Sequence, residues 1–151
     1  MAIARGAGTE IIRSAYFEDV DAVQALIVGE QHHIYTVLSI IVYCAAVDAV
    51  TDTAQCYLTG YDSHGGDTGQ NMWLFTQNIE VDKTFVWNDK FSFNGFEPTN
   101  FTGPMDDATK QNAIADQGQA TAQKLMFTMT SADGGGQNYM VGISYIDQNN
   151  S

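Results

Sequence analysis

Between His32 and Cys44 the chain writes one unbroken run of β-branched, aromatic and small residues, His-His-Ile-Tyr-Thr-Val-Leu-Ser-Ile-Ile-Val-Tyr-Cys. Such side chains suit a pleated, half-buried strand and crowd the preceding turn of a helix. With a period of two, Ile34, Leu38, Ile40, Val42 and Cys44 face one way. Tyr35, Val37, Ser39, Ile41 and Tyr43 face the other, so the strand is expected to be covered on both sides. A segment of this kind must bury its faces against another layer, which confines the chain to a layered β architecture.

The remaining sequence repeats the signal. Alternation predicts further strands over residues 10–17, 22–28, 55–61, 71–80, 83–87, 90–94, 123–131 and 138–147. Gly29-Glu30-Gln31 reads as a turn, Asn88-Asp89 as the tight turn of a short hairpin, and Gly134-Gly135-Gly136 as the link between the last two strands. Eight or nine short strands separated by turn signals predict an all-β fold, a single antiparallel β-sandwich of jelly-roll type. A chain of 151 residues is one domain by length and buries a core without metal or disulfide.

Residues 95–122 break the rhythm. Both prolines, Pro98 and Pro104, fall there, and the segment is too long for a plain connection in a compact domain. Asp106 is suited to cap a short helix within it, with Gly118 at its end. We read the segment as one long inserted loop that serves as a contact surface, with residues 1–9 as an N-terminal arm. Phe96, Phe101, Met105 and Ile114 in the loop, and Ile3 in the arm, are the expected apolar anchors toward a partner.

Six Lys and Arg against 18 Asp and Glu give a net charge of −12. That charge repels phosphate backbones and anionic membranes, so neither nucleic acid nor membrane is an expected partner, and it suits docking onto a basic one. The N-terminus lacks the basic stretch and apolar core of a secretory signal, and the longest apolar run, about residues 40–50 with Asp48 inside it, is too short to span a bilayer. Synthesis and folding in a cytoplasm are expected, with Cys44 and Cys56 reduced and buried. Their spacing matches no zinc motif.

No grouping of residues spells out a reaction. Asp62, Ser63 and His64 are adjacent, whereas a catalytic triad needs its carboxylate and nucleophile on opposite sides of the imidazole. The surrounding stretch, residues 61–69, reads as a glycine-rich hairpin tip; Asp62 and Asp67 lack the spacing of an EF-hand loop. His32 and His33 alternate faces in an extended chain and cannot share a metal. Asp106, Asp107 and Asp116 read as solvated carboxylates. Trp73, Trp87, Phe91, Phe93, Phe96 and Phe101 read as core or subunit interface more than as a sugar platform. Asn100-Phe101-Thr102 is a formal glycosylation sequon of little meaning without a secretory signal. Catalytic, metal and cofactor sites are all expected to be absent.

The succession Val28-Gly-Glu-Gln-His-His-Ile-Tyr-Thr-Val-Leu-Ser-Ile-Ile-Val-Tyr, then Leu58-Thr-Gly-Tyr-Asp, Trp73-Leu-Phe, Lys83-Thr-Phe-Val-Trp-Asn-Asp-Lys-Phe and Val141-Gly-Ile-Ser-Tyr-Ile-Asp-Gln, resembles the small β-sandwich virion proteins of tailed bacteriophages. The likeness spans about residues 10–94 and 123–148, and departs at residues 95–122, where that family more often makes a short turn. It implies a non-enzymatic virion structural protein on the capsid surface, such as a capsid decoration (cement) protein. The expected partners are a major capsid protein and sister subunits in a homotrimer or similar ring. A host-recognition or glycan-binding appendage is the alternative.

Overall fold

The computed structural model describes residues 8–47, 51–61, 69–98, 108–109, 111–112, 120–130 and 136–150. Its strands are β1 (Thr9–Val20), β2 (Gln24–Val28), β3 (His33–Ala46), β4 (Thr51–Tyr61), β5 (Gln70–Glu80), β6 (Thr84–Trp87), β7 (Phe91–Asn94), β8 (Phe96–Pro98), β9 (Ala120–Ala122), β10 (Lys124–Thr130) and β11 (Asn138–Asn149). One sheet runs β1-β11-β3-β6, with β7 also on β3, and the other runs β2-β10-β4-β5. All their pairings are antiparallel. Counting β6 and β7 as one edge and setting the β8–β9 ribbon aside, eight strands run in the orders 1-8-3-6 and 2-7-4-5. That is the double-sheet order of a jelly roll, as expected from the sequence.

The core lies between the sheets. Phe75 of one sheet packs on Phe85 of the other with ring centroids 4.9 Å apart, and Phe127 meets Tyr139 edge-on at 5.5 Å. Val37, Ile40, Val42, Cys44, Cys56, Leu125 and Val141 are sealed around these rings. Aromatic pairs of this geometry add about 0.5–1.5 kcal/mol beyond the apolar area they bury.

The structure corrects the sequence reading in three places. First, period two does not persist along β3. Tyr35 and Val37 point into the core, and so do Ile40, Val42 and Cys44. The switch falls at Leu38-Ser39, opposite a register shift between Ser144 and Tyr145 on β11. An extra residue on one strand of a ladder changes which face its neighbours occupy. Second, β6 and β7 form no hairpin about Asn88-Asp89. Both pair with β3, β6 along Ile40–Tyr43 and β7 along Ile34–Val37. β3 has 14 residues and so an edge long enough for both, which buries Phe93 against Tyr35 instead of leaving an isolated ribbon. Third, the ends of segment 95–122 are strands: Phe96, Glu97 and Pro98 pair with Ala122, Thr121 and Ala120. Residues 108–109 and 111–112 are helical, in line with the expected short helix.

A backbone knot ties that ribbon to the sandwich. Gly95 N donates to His33 O at 2.7 Å, Gln123 N to Gly95 O at 2.9 Å, and Gly29 N to Gln123 O at 2.8 Å. The chains approach so closely that a Cβ on Gly29 would collide with the Gly95 carbonyl, and one on Gly95 with the Glu30 carbonyl. Only glycine allows two backbones to come this near.

Candidate functional site: an open sheet face and edge

The polar grouping that most resembles a reactive site lies at one end of the β1-β11-β3 sheet. His33 Nδ1 lies 2.6 Å from Asp147 Oδ1, and the Arg13 guanidinium donates to Asp147 Oδ2 at 3.2 Å. The Asp147 side chain is 1% exposed. Strand alternation ruled out a metal shared by His32 and His33; folding carries His33 to a carboxylate 114 positions away. The opposite ring atom, Nε2, faces Glu30 Oε2 at 3.5 Å. A nucleophile would have to stand where Glu30 stands, so the row Glu30–His33–Asp147–Arg13 is a chain of polar contacts that ties β1, β3 and β11 together. Beside it, burial pushes the Tyr35 hydroxyl up to about 12.

At the other end, Cys44, Asp52 and Tyr139 form a second buried polar group. Burial raises the Cys44 thiol, and the nearby Asp52 charge raises it further. Burial drives Cys56 up to about 12. Both thiols are unpaired, protonated at neutral pH and shielded, hence weak nucleophiles. Among the described residues no group of three or more His, Cys, Asp and Glu is placed to hold a metal ion.

The outer face of the same sheet is a different kind of surface. One row crosses all four strands in register: Tyr16 opposite Gly142, Gly142 opposite Ile41, Ile41 opposite Val86. Tyr16 is 60% exposed, Ile41 46% and Val86 51%. A Cβ built on Gly142 would meet nothing within 4 Å, so the row has a notch between Tyr16 and Ile41. A second row carries Ile12, 73% exposed, opposite Ile146, which lies opposite Thr36. Ser14 and Ser144 lie between these rows, their hydroxyls 3.3 Å apart. None of these positions carries a charge, on a protein with a net charge of −12. Exposed apolar side chains aligned on an uncharged face of an acidic protein suit a contact site.

Of the residues the sequence nominated as anchors, only Phe96 falls among those described. It is half-buried in β8 opposite Ala122. Ile3, Phe101, Met105 and Ile114 lie outside the described residues, as do Asp62, Ser63, His64, Asp67, Asn100, Asp106, Asp107 and Asp116. The exposed band was missed, although its signal was present. The second apolar face of the β3 run, including Ile41, implied a cover on both sides, and among the described residues Ile41 stays 46% exposed.

No protein-family model matches the sequence, and no curated protein matches it. Comparison of folds finds a chain from the structure of infectious bursal disease virus, Gx strain, at a TM-score of 0.47 and 6% identity, covering 96% of this chain and 32% of that one. A chain from Bacillus endospore appendages, described as a family of disulfide-linked pili, overlays at 0.41 with 10% identity, covering 100% and 97%. A chain from the Gt strain of the same virus overlays at 0.38 with 14% identity, covering 95% and 32%. The protein thus spans about a third of the viral chains it overlays. The jelly-roll assignment rests on this molecule's own strand order.

Proposed function

We propose that this protein is a virion structural protein that decorates the capsid surface and bridges neighbouring capsid subunits. The observation that carries the reading is the uncharged band over β1, β11, β3 and β6, which exposes Ile12, Tyr16, Ile41 and Val86 among the described residues and runs out to β1 at the end of its sheet. Jelly rolls serve in capsids, and also in lectins and cupins, so the architecture is compatible with the reading without choosing it. The mechanism is mechanical. Each docked copy covers its band against capsid protein or a sister subunit, and a standard interface removes roughly 800 Å² per partner from water. Sister copies around a symmetry axis, such as a homotrimer, would cover the remaining edges. The acidic surface keeps unbound copies soluble and apart.

Copy number in purified particles, measured by quantitative mass spectrometry against a capsid subunit, tests the reading. Decoration requires a copy number of the same order as the capsid subunit. A stoichiometry of a few copies per particle would remove the decoration role. Trp73 supports a second reading, a glycan-binding appendage: it is half exposed on β5, its ring 4.6 Å from Tyr57. Glycan-array binding abolished by Trp73→Ala is the result that reading requires.

A further inference from the structure

We propose that the outer edge of β1 over residues 10–17, which pairs with no second strand among the described residues, is a strand-addition site for an extended, basic segment of the partner. The proposal rests on the virion reading only for the identity of that partner. β1 ends its sheet, with β11 on one side and no strand on the other among the described residues. Its ladder to β11 runs unbroken through nine successive pairs, Thr9 to Phe17, before the register shifts. Proteins protect such edges with lysine, proline, short length or bulges. β1 is 12 residues long, with no lysine or proline, and its irregularity sits only at the far end, where Asp19 adopts φ 54°. The other long edge, β5, is built differently: its ladder to β4 shifts register twice. A strand laid on β5 would meet a kinked template, whereas one laid on β1 meets a regular one.

The charges select the occupant. Glu10 stands at one end of the regular edge, and Glu18, Asp19 and Asp21 stand exposed at the other. The single base on β1, Arg13, projects from the opposite face, half exposed and neutralised by Asp147 at 3.2 Å. On the outer face the edge is therefore acidic at both ends and uncharged between them, with Ile12, Ser14 and Tyr16 exposed there. Glu10 and Glu18 have the same parity, so a matching strand carries Lys or Arg eight residues apart with Val- or Thr-like residues between. Backbone pairing supplies the affinity and the end charges the selectivity. A second copy of this chain would instead bring its own acidic ends.

The probe is an acetylated, amidated nonapeptide, Lys-Thr-Val-Thr-Val-Thr-Val-Thr-Lys, with a control in which Glu replaces both Lys. Hydrogen exchange and binding are read on the full chain. The Lys peptide should slow exchange of β1 amides about tenfold when present at ten times its Kd. The Glu control should leave them unchanged. Glu10→Lys with Glu18→Lys should weaken binding of the Lys peptide by roughly threefold to tenfold, the worth of two exposed ion pairs. Equal binding of the two peptides, protection of β5 in place of β1, or peptide-free self-association that protects β1 would each overturn the proposal. On particles, the double Lys variant at full wild-type occupancy would also overturn it while leaving the virion reading intact. A wild-type chain absent from particles would remove that reading and leave the peptide result standing.

Discussion

β1 and β11 are both 12 residues long and pair with each other, yet they live in different solvents. β11 lies between two strands and buries Tyr139, Val141, Ile143, Tyr145 and Asp147 in strict alternation. Among the described residues β1 pairs with β11 alone, and it is exposed along most of both faces. The same ladder is therefore closed on one side and open on the other. An open strand of this length with large apolar side chains gains little for the isolated fold, which is why we assign its value to association.

Three outcomes would break or sharpen that contrast. The largest effect belongs to the knot that closes the sandwich: Gly95→Ala sets a methyl group against the Glu30 carbonyl. The loss should exceed the usual overpacking range of about 1–3 kcal/mol; a chemical-denaturation midpoint unchanged from wild type would contradict the described approach. Next comes the pair of strands itself. Ile143→Ala on β11 should cost about 2–5 kcal/mol, as for other buried aliphatic truncations. Ile12→Ala on β1 should stay within about 0.5 kcal/mol, as for surface positions. Similar costs at both sites would mean that β1 is covered within the single chain. The smallest effect at ordinary pH is linkage. Cys56 and Tyr35, with ordinary values of 9.0 and 10.0, are both raised to about 12 in the fold. Each is neutral when folded and ionises more readily unfolded. Their contribution is thus fully present below about pH 9 and drains away as pH climbs from about 9 to about 12. Denaturant midpoints should be flat in this respect from pH 6 to about 8.5 and fall above that; a flat profile to pH 11 would show that both groups reach water.

Much of the fold was legible because alternation is a local property. Nine of the expected strands are present, within a few residues of their expected bounds, and the jelly-roll order follows from pairing them. The candidate surface was legible only in part. Composition supplied the charge of −12. The doubly apolar β3 run held the hint that both its faces suit a cover, but it reads the same whether that cover is another layer or another molecule.

What the sequence determined by itself is which residues pair into strands, since side-chain branching and polarity act over two or three positions. What only the tertiary structure decided is which side of those strands stays open. The bulge at Leu38-Ser39, the choice of β3 over a hairpin for β6 and β7, and the capture of Arg13 by Asp147 all depend on partners far away in the chain. Each is settled by competition among long-range contacts in one packed core, and no local pattern encodes the outcome of that competition.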